Sequence, residues 1–228
     1  MPGTCLVYED VAPVEDELLA RCANIPTAAF SDAMQRFGGA VGLAPVVGNS
    51  RASQVVRLVG RALTVQTRAG DNLVVHKAAD LAVAGDILVI DAGGQTDRAI
   101  VGGLLGSFAQ SRGINGIVVD GAVRDLSELA ALDIPVFARG VSHLGPYKDG
   151  PGVIRGNIAI GGTAVSQGDL VVGDEDGIVF IPRHRAAAVV AEAEAVVERE
   201  RLTTVAISTD SWDRQWVDSG LVVQHMTR

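Results

Sequence analysis

Aromatic side chains are scarce in this chain of 228 residues, at 4% of the total. A core without them must be aliphatic, and Val, Leu, Ile and Ala supply most of the 48% hydrophobic content. Cysteine is scarce too: Cys5 and Cys22 are too few for a disulfide framework. No apolar run approaches the ~20 residues that cross a bilayer. The opening "MPGTCLVYEDVAP" lacks the basic region and apolar run of a secretory signal. Positive charge is in deficit: 19 Lys and Arg face 27 Asp and Glu, for a net charge of -8, and no basic cluster is seen. Such a surface repels phosphate backbones. These absences predict a cytoplasmic protein with neither a membrane nor a nucleic acid as partner. G-x-G-x-x-G and Walker patterns are also missing, which argues against a nicotinamide or methyl-donor nucleotide site.

What is there is an α/β pattern with no evident linker, read as a single domain over 1–228. Helical spacing marks 14–25 and 26–39, the second closed by Gly38 and Gly39. A strand follows over 55–68 with a bend at Gly60, then a helix over 71–83 with Asp71 as its cap. The stretches 85–94, 116–121 and 134–140 read as strands, alternating with helices over 98–113 and 124–132. From 145 to 182 short apolar runs between glycines read as β-hairpins and a meander. A long helix over 184–202 and a tail carrying Trp212 and Trp216 complete the chain. The tryptophans, one helical turn apart, suit docking against a neighbouring subunit.

Chemistry concentrates in "GGLLGSFAQSRGINGIVVDGAVRDLSE", residues 102–128. Gly102, Gly103 and Gly106 near a helix start each cost roughly 1 kcal/mol against alanine. They must permit a close backbone approach, to another element or to a ligand. Asp125 and Glu128 have the spacing of a capping box, and capping is one reading of them. In the other, Asp125 ligates a hard cation such as Mg²⁺, which takes one or two carboxylates and keeps its waters, while Arg124 clamps an anion or enolate. Parallel β/α units bring both turns to one end of the sheet. Amides of Gly102, Gly103, Leu104 and Leu105, Arg124 and a metal carboxylate would then converge on a small α-keto acid. Asp120 either orients Arg124 or serves a turn. Ser31-Asp32, His76, His143 and His184 form no triad and read as structural or surface groups. Asp174, Glu175 and Asp176 read as a solvated hairpin turn.

The spacing of Gly103, twenty residues, Arg124-Asp125, two residues and Glu128 resembles the RraA-like family. That family contains the class II 4-hydroxy-4-methyl-2-oxoglutarate / 4-carboxy-4-hydroxy-2-oxoadipate aldolases and the regulator of ribonuclease activity A. The likeness runs from about Ile25 to Leu202. It implies a β/β/α swivelling-domain sandwich, assembled as a homotrimer or hexamer with sites between subunits. The C-terminal helix and tail, 183–228, would lie at such an interface. It also implies that Gly102–Leu105 seat a pyruvate carboxylate, that Arg124 meets the keto oxygen and that Asp125 binds Mg²⁺ or Mn²⁺. Glu198 or Glu200 of a neighbouring subunit would complete the site. The expected activity is metal-dependent retro-aldol cleavage to pyruvate, oxaloacetate decarboxylation, or both. The alternative is a non-enzymatic regulator of ribonuclease activity that binds a protein. Some aldolases of the family carry an acid where Gly103 stands, and its loss should weaken aldol cleavage more than decarboxylation.

Overall fold

The aliphatic pattern resolves into one mixed sheet in the computed structural model, which describes residues 3–46 and 57–226. The chain begins with β1 (Cys5–Val7), α1 (Asp16–Cys22), α2 (Thr27–Ala33) and the short strands β2 (Gly39–Ala40) and β3 (Ala44–Pro45). The parallel part comprises β4 (Leu58–Thr67), α3 (Leu73–Leu81), β5 (Asp86–Asp91), β6 (Ala99–Val101), α4 (Gly103–Ser111), β7 (Gly116–Val123), α5 (Leu126–Leu129) and β8 (Val136–Val141). Then come β9 (Gly152–Ile154), β10 (Ile158–Ile160), β11 (Thr163–Val165), β12 (Leu170–Asp174) and β13 (Gly177–Ile181). A 3-10 turn, Arg183–Arg185, leads into α6 (Ala186–Ser208), and α7 (Gln215–Ser219) closes the described chain.

Among the described residues the main sheet has eleven strands, with the order β2-β13-β12-β4-β5-β7-β8-β3 along its path. β4, β5, β7 and β8 run parallel, while β12 and β13 add antiparallel strands beside β4. This is the mixed α/β architecture that the pattern implied. β5 and β7 are buried along nearly their whole length, as strands covered on both faces must be. One face packs Leu88, Ile90, Ile117 and Val119 against α3 and α4. The other packs Ile87, Val89 and Val118 against the β10–β11 hairpin. A third cluster joins β12 and β13 to α1, α2 and α6. Each large aliphatic side chain so buried contributes about 1.5–3 kcal/mol.

Several boundaries differ from the pattern, each for a physical reason. The segment expected to open a helix at 98 is extended through Val101, because Ala99 and Val101 pair with β7 and are fully buried there. The second helix stops at Ala33, where Gln35 and Arg36 turn left-handed with φ of 56° and 67°. The long helix α6 runs six residues beyond 202, to Ser208. The strand expected from 55 is seen from Leu58, its first residues lying partly outside the described ones. Asn72, not Asp71, holds the cap position of α3; Asp71, one residue ahead, accepts the Leu73 amide at 3.0 Å. Asp174 is not solvated: it is buried and takes the Thr27 amide at 2.7 Å, capping α2 from across the fold. No helix among the described residues is long and apolar enough to cross a membrane.

Candidate functional site

The site begins with the pairing of β6 on β7, which delivers Gly102 beside Arg124. The Arg124 amide donates to the Val101 carbonyl at 2.9 Å. Gly102 is extended, with φ of -144°, so its lack of a side chain is a matter of space. A Cβ there would lie 2.5 Å from Asp125 Oδ2 and 3.0 Å from Arg124 Cγ. At Gly103 a Cβ would collide with Glu128 Oε2 and sit 2.7 Å from Glu128 Cβ. Side chains of the turn after β7 therefore occupy the space above the diglycine bend. Gly106 has the other duty expected of these glycines: a Cβ would press on Leu129 at 2.6 Å, so it permits α4 to pack on α5.

Asp125 sits in the left-handed region, φ 57° and ψ 47°, at the start of α5. That conformation costs a non-glycine residue roughly 1–2 kcal/mol, and such strain gathers at functional sites. Its carboxylate does not cap its own helix. Instead Oδ2 accepts the Gly103 amide at 3.2 Å and faces Arg124 Nε at 3.4 Å. The capping-box reading is thereby corrected: the left-handed turn carries the carboxylate away from the α5 amides and over the α4 N-terminus. Glu128 likewise lies over Gly103 rather than reaching back to a cap. Sequence spacing placed Glu128 in the Gly103 to Glu128 pattern and gave it a capping role, so its place over the bend is new.

The bend presents donors as well. Gly106 N makes the first bond within α4, to Gly102 O at 3.0 Å, which leaves the Leu104 and Leu105 amides without a partner inside the helix. Leu104 is 86% exposed, so this helix end opens outward. Arg124 is backed by Gly145, where a Cβ would come within 2.9 Å of Nη1. The Gly145 carbonyl in turn accepts Arg98 Nη1 at 2.8 Å. A guanidinium, a carboxylate and free amides thus meet in one place, with the Arg124 and Asp125 side chains about 40% exposed.

Of the two roles weighed for Asp120, orienting Arg124 is not the one seen; its carboxylate serves a turn, that of the β10–β11 hairpin. It pairs with Arg139 Nε at 2.6 Å and accepts the Gly161 amide at 2.9 Å, which makes it a brace between strands and hairpin. Among the described residues no group of three or more His, Cys, Asp and Glu side chains gathers as a metal cage. The donor set fits a hard cation that keeps most of its waters, not a closed zinc centre. Glu198 is engaged with Arg201 on its own helix at 2.8 Å. A cavity of about 410 Å³ lies elsewhere, lined by Tyr8, Gln66, Val153, Arg155, Gly156 and Asn157.

Comparison with known proteins finds the RraA-like model, described as Aldolase/RraA, matching residues 27–180. A protein of Halalkalibacterium halodurans named "Putative 4-hydroxy-4-methyl-2-oxoglutarate aldolase" is 39% identical over 173 residues, 76% of this chain and 80% of that protein. Among solved structures, an uncharacterized protein from Pseudomonas syringae is similar with a TM-score of 0.77 at 30% identity, covering 89% of this chain and 93% of the other. The RNA-processing inhibitor RraA of Thermus thermophilis gives a TM-score of 0.59 at 32% identity over 69% of this chain and 92% of its own.

Proposed function

Because the chain belongs to the RraA-like family, we propose that it is a divalent-metal-dependent carbon–carbon lyase that releases pyruvate from oxo acids. The substrates are 4-hydroxy-2-oxo di- or tricarboxylic acids, oxaloacetate, or both. The observation that carries this reading is the meeting of Arg124 and Asp125 with the Gly102–Gly103 bend, through the Gly103 amide at 3.2 Å from Asp125 Oδ2. Relatives named as aldolases support it.

The bend amides of Leu104 and Leu105 hold the carboxylate next to the keto group, at a helix N-terminus that favours an anion. Arg124 donates to the keto oxygen and strengthens its grip as that oxygen gains charge. Asp125 would hold Mg²⁺ or Mn²⁺, which supplies Lewis-acid stabilisation of an enolate. In oxaloacetate the C3–C4 bond breaks, CO₂ leaves, and the pyruvate enolate takes a proton at C3. In a 4-hydroxy-2-oxo acid the same bond breaks after the C4 hydroxyl loses its proton, and C4 becomes a carbonyl. Glu128, above Gly103, is the carboxylate placed to accept that proton. Its side chain fills the space that a Cβ at position 103 would need.

The test is pyruvate release from oxaloacetate and from 4-hydroxy-4-methyl-2-oxoglutarate, with added Mg²⁺ or Mn²⁺ and with EDTA. Release that EDTA abolishes supports the lyase; no release from either substrate with metal rejects it. The second reading, a regulator of ribonuclease activity, is favoured by the likeness to the Thermus inhibitor. A regulator would keep its protein partner after Asp125→Ala, whereas the lyase would lose pyruvate release.

We also assign subunit docking to the outer part of α6 and the tail, where Leu202, Val205, Ile207 and Trp216 are exposed. Light scattering should then read a trimer or hexamer.

A further inference from the structure

We infer that Arg98 is a positioning residue for Arg124, acting through Gly145. The inference rests on the proposed lyase reading for what Arg124 does, and on its own geometry for how Arg124 is held. Among the described residues the Arg124 side chain makes no hydrogen bond and only faces Asp125 Oδ2, at 3.4 Å. Its direction is therefore set by the walls it lies against, and both walls are glycines. A Cβ at Gly102 would lie 3.0 Å from Arg124 Cγ and 3.2 Å from Nε, and one at Gly145 would lie 2.9 Å from Nη1. Gly102 follows β6, which is held by its pairing with β7. Gly145 stands in the loop after β8 and needs another anchor. Arg98 supplies it, with Nη1 donating to the Gly145 carbonyl at 2.8 Å. The Gly145 peptide is thus held between two guanidinium groups, one that grips it and one that rests on it.

Arg98 is itself fixed in direction. Its stem lies over Gly70, where a Cβ would come within 3.1 Å of Arg98 Cδ and where φ is 72°, so glycine is required there twice over. Its guanidinium lies over the Tyr147 ring, with Cζ 4.3 Å from the centroid. No carboxylate among the described residues pairs with it. What selects arginine at this position is a planar group that donates from one edge while its face rests on a ring. The loop does not depend on Arg98 for its course. The Ser142 amide donates to the Val123 carbonyl at 3.0 Å, and the Ala99 amide to that of Leu144 at 2.9 Å. Tyr147 exchanges backbone bonds with Gly70 and Asn72 at 2.7 and 3.0 Å. Loss of Arg98 therefore frees the Gly145 peptide and not the loop, and Arg124 loses one wall.

The test is a double-mutant cycle on pyruvate release from oxaloacetate with Mg²⁺. Arg98→Met should lower kcat about tenfold, within the cost of a misplacement of under about 1 Å. KM should stay within about twofold, because Arg124 acts on charge that develops in the transition state. Arg98→Lys should recover part of the loss, since lysine can reach the carbonyl but cannot stack its charge as a plane. In an Arg124→Lys background, Arg98→Met should cost almost nothing further. An unchanged kcat in Arg98→Met, or the same loss in both backgrounds, would overturn the inference. If Arg98→Met is unfolded by circular dichroism, Arg98→Gln takes its place in the cycle with the same expectations. A second readout needs no chemistry: the Arg124 Nε–H resonance, assigned by its loss in Arg124→Lys, should shift or broaden in the Arg98 variant. Should the wild-type protein release no pyruvate, the lyase reading falls and this resonance alone decides; an unmoved resonance overturns the positioning role.

Discussion

Two Arg–Asp pairs stand at the same end of the parallel sheet, five residues apart in their aspartates, and they are built in opposite ways. Asp120 and Arg139 meet at 2.6 Å, the aspartate side chain is 9% exposed, and its other oxygen is taken by the Gly161 amide. Asp125 and Arg124 meet at 3.4 Å, both open to solvent, and Asp125 pays for its position with a left-handed backbone. The tight pair has spent its hydrogen-bonding capacity inside the protein. The slack pair has kept capacity for something else, at a backbone strain that its own contacts do not repay. Loose geometry beside a helix N-terminus is thus the better guide to a site than a short ion pair.

Substitutions can break that contrast, beginning with the largest expected effect. Asp125→Ala should reduce metal-dependent pyruvate release roughly a thousandfold, the scale of losing the ligand of an electrophilic cation, and steady-state kinetics would show it. Asp120→Ala should do the converse. Removing it strands Arg139 and the Gly161 amide, at a cost of roughly 3 kcal/mol in unfolding free energy, measured by denaturant titration. Gly103→Ala forces Glu128 off the bend; pyruvate release should fall about tenfold, and stability by roughly 1–2 kcal/mol for the overpacking. Smallest, and sharpest as a comparison, is Asp125→Gly. Glycine accepts φ of 57° freely, so the folded state should gain about 0.5–1 kcal/mol while activity is lost as in the alanine variant. A stability gain at Asp125 beside a loss at Asp120 would separate function from structure within one strand end.

The sequence made the parallel half legible because its strands are unbroken aliphatic runs between glycines, as in 116–121. It also announced that Gly102 and Gly103 stand where something comes close. It named Arg124 and Asp125 as what meets them, and left open whether the two carboxylates cap their own helix instead. Asp125 and Glu128 have capping-box spacing, and only the left-handed turn at Asp125, which has no sequence signature in a non-glycine residue, sends both carboxylates to the bend. Ala99–Val101 reads as helix because three apolar residues carry no period; its pairing with β7 is a long-range contact. Asp120 was ambiguous for the same reason, since Arg139 lies on β8 and not in the local turn. Arg98 and Gly145 are far apart in numbering, and neither lies within 102–128. Their meeting depends on how the loop after β8 folds against the start of β6.

The central claim is that one cation and one keto acid share the bend. Enolate formation from pyruvate is the half-reaction common to aldol cleavage and decarboxylation, so exchange of pyruvate methyl protons in D₂O, followed by proton NMR, tests it most directly. Exchange that requires Mg²⁺ or Mn²⁺, stops with EDTA and is lost in Asp125→Ala is the predicted result. Exchange that proceeds equally without metal or without the Asp125 carboxylate, or none at all in the metal-supplemented protein, would contradict it.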